Sequence, residues 1–225
     1  MPHLQELAEG IWTASAPHRW IGLHLGTRMT VIRLSRGGLL LHSPVPMSKQ
    51  LRTELAALGP VGHIVCPNLY HHVYAGEAVA AFPNAVLHGP PELRRKRKDL
   101  PFDADLSEVP HEDWKNNLIP LTIDGCMLYE TVFFHPATHT LITCDLVENF
   151  DSSPHWPTRL YLKLAGLYGR IGWSRFLRLL YRDRKAARAS VDRLLQWPFE
   201  RVVISHGNIV SDHARETVRR AFGWL

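Results

Sequence analysis

Three loops of this chain carry side chains that ligate metal ions in proteins. The candidates are His71, His72, Asp145 and His206. Each of the three loops directly follows an apolar run, and loops beyond strand ends are where α/β proteins keep their chemistry. Two or three imidazoles with one carboxylate suit zinc, and the same set would hold iron or manganese. The pattern therefore predicts a metal site at the ends of three strands.

The histidine pair by itself is ambiguous. The chain holds 14 histidines, so one adjacent pair is unsurprising, and a pair in a loop is more often solvent-facing or hydrogen-bonded than metal-bound. Asp145 supports the metal hypothesis, because a carboxylate at the end of a buried strand is costly unless it is paired, hydrogen-bonded or bound to a cation. The metal hypothesis depends on the three loops jointly.

Hydrophobic periodicity predicts the elements that position these loops. Strands are expected at residues 10–13, 30–34, 39–42, 63–66, 85–88, 117–123, 129–135, 139–144 and 199–204. Helices are expected at residues 48–58, 76–82, 91–99 and 211–222, with about three more in 157–196. Residues 36–38 form a hairpin turn and 101–109 a polar surface connection. Strands interleaved with helices indicate an α/β fold.

Length and composition indicate one soluble domain over residues 1–225. The first ten residues lack the basic and apolar regions of a signal peptide, and no run of eighteen apolar residues is present. Three cysteines, Cys66, Cys126 and Cys144, are too few and badly spaced for a disulfide framework or a cysteine zinc site. We expect them to be reduced and buried, which suits a cytoplasmic protein.

The formal net charge of +5 raises the question of anionic partners. The five basic residues at 94–98 are interpreted as a solvated helix face, because no nucleic-acid recognition motif accompanies them. The basic amphipathic stretch 157–196 could lie on a membrane surface or bind a partner. The interpretation that we favour is that it covers the core and the mouth of the site.

Taken together, these segments resemble the metallo-β-lactamase superfamily over nearly the whole chain. The matching pieces are Ile11-Trp12, residues 30–34 and 39–46, the loop 64–76, the strand and aspartate 141–145, and the histidine strand 202–207. The resemblance implies a four-layer αββα sandwich with a helical insertion near 157–196. It is closest to a branch of unknown function that also carries paired histidines.

The resemblance also indicates which ligands are absent. Members with two metals carry a His-x-His-x-Asp-His loop. Placing His72 on its last histidine puts His71 on the aspartate. Leu69 and Pro67 then stand where the first two histidines would be. Gly125 or a neighbour replaces a further histidine. The resemblance therefore implies that one divalent metal position survives, with His71, His72, Asp145 and His206 as its ligands.

Other residues near the site are candidates for support or substrate contacts. The aspartate usual near Ser43 is absent, which leaves His42 or Ser43 in its place. Tyr70 and Glu77 lie in the metal loop. For His42, Tyr70 and Glu77 a purely structural role is the alternative.

The function implied by the resemblance is metal-dependent hydrolysis of a small-molecule ester, thioester or related bond, with His71 and Asp145 as catalytic candidates. Four protein ligands would leave a tetrahedral zinc without an open position. If His71 turns away from the metal, it could act as acid or base near neutral pH. The alternative is an inactive member of the fold that binds a ligand or partner. We expect a small-molecule substrate and no nucleic acid.

Overall fold

Two β-sheets form the centre of the protein in a computed structural model that describes residues 2–225. The larger sheet has seven strands in the order β1-β2-β5-β6-β7-β8-β9. These strands are β1 Gln5–Ala8, β2 Ile11–Ala16, β5 Thr27–Arg33, β6 Leu39–His42, β7 Val61–Val65, β8 Val86–Gly89 and β9 Ala104–Asp105. A small hairpin between β2 and β5 consists of β3 Arg19–Trp20 and β4 Leu23–His24.

The second sheet has four strands in the order β10-β11-β12-β15. They are β10 Ile119–Thr122, β11 Thr131–His135, β12 Thr140–Ile142 and β15 Arg201–Val203. A further two-stranded sheet pairs β13 Glu148–Phe150 with β14 Arg170–Gly172. The parallel pairs β6-β7 and β12-β15 end at the edge where the candidate ligands lie.

Five of the six helices cover the outer faces of the two sheets, and the fourth packs beside the β3-β4 hairpin. The helices are α1 Lys49–Leu58, α2 Ala75–Ala81, α3 Pro91–Lys96, α4 Trp156–Ala165, α5 Arg184–Leu194 and α6 Ala214–Ala221, with 3-10 turns at Pro136–Thr138 and Arg175–Leu180. Helix α1 begins at Ser48, whose side chain accepts a hydrogen bond from the Leu51 backbone N–H. No helix within residues 2–225 has the length and apolar character needed to cross a bilayer.

Side-chain alternation along the strands produces four layers. In β6, Leu39 and Leu41 pack with the helices on the outer face of the first sheet, whereas Leu40 packs between the sheets. In β11, Phe133 packs between the sheets and Phe134 packs with α5 and α6 outside the second sheet. The arrangement is the αββα sandwich that the resemblance implies.

Most predicted elements are present with shifted ends, but three predicted segments contain secondary structure of a different type. The connection after β2 contains the β3-β4 hairpin, and residues 101–109 contain β9 at the edge of the large sheet. The stretch 157–196 holds two α-helices and a 3-10 turn, but its centre is the strand β14. Each of these strands has two or three residues, which is too short to give a period-2 pattern. The three cysteines are buried, as predicted.

Candidate metal centre

Asp145 lies between two imidazoles at the shared edge of the sheets. Its Oδ1 is 3.2 Å from His71 Nε2 and 3.3 Å from His206 Nε2. One ligand atom from each of these three side chains lies within 4.8 Å of the others. The structure thus brings together three of the four predicted ligands, which come from the loops after β7, β12 and β15.

Hydrogen bonding fixes the tautomer of His206. Its Nδ1 is 2.8 Å from the Gly26 carbonyl oxygen, which can only accept, so Nδ1 carries the proton. In a neutral ring Nε2 then presents a lone pair to the negative Asp145. Two facing lone pairs need a cation between them, either a proton or a metal ion. Arg28 holds this loop in place by donating to the carbonyls of Ile204 and Gly207.

The loop after β7 turns His71 inward. Asn68 Oδ1 accepts from the backbone N–H groups of Tyr70 and His71, each at 2.9 Å, and so fixes a tight turn. Ser43 follows β6 with a left-handed φ of 56°, which is uncommon for a serine and persists only where the surroundings hold it. Its hydroxyl lies 2.7 Å from His71 Nδ1. The imidazole is therefore oriented from its far side, as second partners orient metal-ligating histidines.

Asp145 is held from behind by a buried carboxylate that sequence reasoning missed. Glu130 accepts from the backbone N–H groups of Cys144 and Asp145, at 2.7 Å and 3.0 Å. Asn68 Nδ2 donates to the other Asp145 oxygen at 2.8 Å. In the sequence Glu130 stands at the start of an apolar run. A carboxylate is costly to bury there unless it has polar partners, and this cost was the signal that could have identified Glu130 as part of the site.

Charge within this group favours an anionic Asp145. Burial alone would raise the pKa of Asp145, but His71 and His206 outweigh it and hold that pKa well below its usual range. Burial opposes charging of His206, yet its bond to Asp145 raises the His206 pKa to about 8. Burial and the Asp145 charge raise the pKa of Glu130. Without a metal ion, a proton therefore occupies the space between His206 and Asp145 at neutral pH.

His72 lies outside the group, contrary to the predicted ligand set. Its Nδ1 is 2.6 Å from Nη1 of Arg97. Burial, together with the charges of Lys96 and Arg97, lowers the pKa of His72 to about 4. The physical reason is the turn at Asn68, which directs consecutive side chains to opposite sides of the loop. Of the two adjacent histidines, His71 therefore contacts Asp145 and His72 contacts Arg97.

Two of the separations among the three candidate ligand atoms have the length expected around a tetrahedral metal ion. Zinc bonds of about 2.0–2.1 Å at tetrahedral angles place neighbouring ligand atoms about 3.3 Å apart. The two distances from Asp145 Oδ1, 3.2 Å and 3.3 Å, match that spacing. Three protein ligands also leave a fourth position open, as catalytic zinc sites do.

A cavity of about 130 Å³ opens onto these ligands. Its wall is largely apolar and aromatic, and includes Trp20, Tyr70, Tyr74, Tyr161 and Trp173. Glu148 contributes the remaining carboxylate. Its Oε2 is buried without a hydrogen-bond partner among the described residues, and burial raises the Glu148 pKa to about 7. Sequence reasoning missed Glu148, although an acid three residues after Asp145 was visible.

The other candidates from the sequence take different places. His42 is fully buried against Phe133, and burial lowers its pKa to about 3. Ser43, and not His42, therefore contacts the ligand group. Glu77 accepts from the Met47 backbone N–H and anchors a loop. Tyr70 lines the cavity.

A second group of ligating side chains lies nearer the starts of β7 and β8. His63 Nε2 is 3.3 Å from Asp113, and His111 completes the group. His63 Nδ1 also lies 3.1 Å from His88 Nε2, and His111 Nδ1 accepts from the Asp113 backbone N–H. The aromatic cavity lies at the other group.

A family model described as Domain of unknown function (DUF4336) matches residues 8–161. This chain belongs to that family. No curated protein matches it. The matched range includes His71, His72 and Asp145 and ends before His206, so the DUF4336 match covers two of the three side chains in the ligand group.

Solved structures similar to this DUF4336 protein are metallo-β-lactamases. One from Pontibacter korlensis has a TM-score of 0.67 at 13% identity and covers 99% of both chains. One from Erythrobacter litoralis has a TM-score of 0.70 at 13% identity, covering 100% of this chain and 97% of that one. FIM-1 from Pseudomonas aeruginosa, in its mono-zinc form, has a TM-score of 0.66 at 13% identity. The match covers 98% of this chain and 94% of that one. The chain therefore has the metallo-β-lactamase fold, at low sequence identity to these structures.

Proposed function

We propose that this protein is a metal-dependent hydrolase in which His71, Asp145 and His206 hold one divalent metal ion. Zinc fits the two nitrogens and one oxygen best, and iron or manganese accept the same donors. The observation that carries the proposal is that one ligand atom from each of these three side chains lies within 4.8 Å of the others, with Asp145 Oδ1 3.2 Å and 3.3 Å from the two imidazole nitrogens. The mono-zinc form of FIM-1 supports the proposal by analogy of fold.

When bound, such an ion supplies Lewis acidity, which lowers the pKa of water and polarises the bond to be cleaved. The protein side chains supply orientation and proton handling. Ser43 and the Gly26 carbonyl fix the two imidazoles, and Glu130 and Asn68 fix Asp145. A site held this way needs little reorganisation during the reaction.

Glu148 is the proposed proton carrier. Glu148 is among the residues that line the cavity beside the ligand group, and its buried Oε2 has no hydrogen-bond partner among the described residues. In the proposed reaction this carboxylate accepts a proton from attacking water and returns it to the leaving group. A carboxyl group without a competing hydrogen bond is free to do both. Neither His71 nor Asp145 has that freedom.

The proposed substrate is a small molecule with an ester, thioester or related bond and an apolar part. The aromatic cavity wall favours apolar groups, and charged contacts in it are limited to the site itself.

A turnover assay tests this function. Purified protein loaded with zinc, iron or manganese should hydrolyse at least one member of a panel of aryl and acyl esters and thioesters. The His206→Ala variant should lose that activity, and His72→Ala should keep most of it, because His72 does not reach the ligand group. Metal-loaded, folded protein without turnover on the panel would favour the ligand-binding alternative.

A further inference from the structure

One face of the protein combines exposed apolar side chains with unpaired cations. Its apolar members are Trp156, Leu160, Leu164, Phe176 and Leu179, which are 66%, 49%, 58%, 53% and 72% exposed. Its exposed cations are Arg159, Lys163, Arg170, Arg175 and Arg182. These ten residues are called the basic apolar face below.

Helix α4 presents this face in a regular way. Trp156, Leu160 and Leu164 recur every four residues, so they form one stripe along the helix. Leu162 and Ala165 are buried on the opposite side. A soluble helix normally turns its polar side to water, but here an apolar stripe faces solvent as well.

Charge on the face is of one sign. Residues 152–182 contain no aspartate or glutamate. Among the ion pairs of the described residues, none includes any of the five cations of the face. Five free positive charges around an apolar stripe are complementary to an anionic surface with an apolar interior.

The face is the outer side of the cavity wall. Tyr161, Leu177 and Leu180 line the cavity, while their neighbours Phe176 and Leu179 point to solvent. Tyr70 and Val73, in the loop after β7, also line the cavity and are 46% and 54% exposed. Exposed apolar residues from two separate segments of the chain therefore lie at the cavity.

We propose that the basic apolar face docks the protein on the surface of an anionic lipid bilayer. Lipid phosphates and carboxylates would pair with the cations, while the stripe enters the boundary between headgroups and acyl chains. A second copy of the chain fits less well, since a two-fold contact would bring five cations against five. A nucleic acid would satisfy the cations but leave the leucines unpaired with any apolar group.

Vesicle sedimentation tests the proposal. The full-length protein is mixed with phosphatidylcholine vesicles, or with the same vesicles containing phosphatidylserine, at low and high salt. We expect binding only to the phosphatidylserine vesicles. Salt should weaken it, because the cations are solvent-exposed. Binding that is equal for both vesicle types, or absent from both, would overturn the proposal.

Variants separate the two contributions to binding. Leu164→Ser with Leu179→Ser should weaken binding at least tenfold, and Arg159→Gln with Arg175→Gln should weaken it about fivefold for each cation removed. Val109→Ser with Arg52→Gln is the matched control, because both residues are exposed on other elements. All substituted side chains lie at the surface, so circular dichroism should show an unchanged fold.

Two further outcomes distinguish this proposal from its alternatives. If light scattering shows a wild-type dimer that Leu164→Ser with Leu179→Ser converts to a monomer, and vesicles are not bound, a second copy covers the face and the proposal is wrong. The His206→Ala variant should bind vesicles like wild type. The protein can therefore fail to bind vesicles while it still binds metal, and it can fail to bind metal while it still binds vesicles.

Discussion

At the scale of residues, the site depends on partners that orient each ligand. The Gly26 carbonyl fixes the proton of His206 on Nδ1, and the Ser43 hydroxyl contacts Nδ1 of His71. Both bonds direct Nε2 toward Asp145. This arrangement places two imidazoles and one carboxylate around one point, as a metal site requires.

Glu148 gives the sharpest test of catalysis at this scale. Replacing Glu148 with glutamine keeps the size of the side chain but removes its ability to carry a proton. We expect kcat to fall by about 10²–10⁴-fold, the usual contribution of a general acid or base, while metal content stays the same. Steady-state kinetics beside metal analysis would measure both. Unchanged kcat would remove Glu148 from the mechanism and leave the metal site untouched.

At the scale of elements, close backbone contact positions the last histidine. Asn149 in β13 accepts from the Asn208 backbone N–H at 2.7 Å, and its own N–H donates to the His206 carbonyl. Gly207 adopts φ +92°, and a Cβ there would lie 1.9 Å from the Asn149 oxygen. The loop after β15 can therefore hold His206 in place only if residue 207 is glycine.

Gly207→Ala should disrupt this element. We expect the free energy of unfolding to fall by more than the roughly 1–3 kcal/mol of a strained φ alone, and metal affinity to fall because His206 moves. Gly22→Ala is the matched control, because Gly22 also has a positive φ, of +78°, but has no atom within 4 Å of the added Cβ. Chemical denaturation of both variants gives the comparison. If both variants lost the same free energy of unfolding, the contact between residue 207 and Asn149 would not contribute to stability.

The sequence was informative about elements and less so about side-chain direction. Apolar runs located five of the seven strands of the large sheet and all four strands of the second sheet, but not β1 or β9. Strand ends located Asp145 and His206. The pattern could not decide between His71 and His72, because that choice depends on the turn that Asn68 makes and on Arg97, 25 residues away. Glu130 was missed for the same reason, since its partners lie 14 and 15 residues away.

At the scale of the whole molecule, folding buries several histidines in their neutral form. His42 and His88 are 1% exposed, and burial lowers the pKa of each to about 3. Between pH 6.5 and 3 the unfolded chain binds a proton at each residue that the folded protein does not. Each therefore makes the protein less stable as the pH falls through this range. Glu148, whose pKa burial raises to about 7, contributes in the opposite sense between pH 7 and 4.5.

A variant of His88 isolates the contribution of one buried histidine to the pH dependence of stability. For His88→Gln, the free energy of unfolding should depend on pH less steeply than for wild type, by about 1.4 kcal/mol per pH unit between pH 6 and 4. Urea denaturation of metal-free protein across this range measures both slopes. Parallel curves for the two proteins would show that His88 is not buried in its neutral form.

The metal content of the purified protein shows whether His71, Asp145 and His206 hold an ion. Protein purified without chelators or a histidine tag should contain about one zinc, iron or manganese ion per chain, measured by elemental analysis. The ion should be lost in His206→Ala and Asp145→Ala and retained in His72→Ala, because only the first two variants remove a member of the ligand group. A folded wild-type protein that binds none of the three metals after soaking, or a His72→Ala variant that loses the ion as completely as His206→Ala, would contradict the site described above.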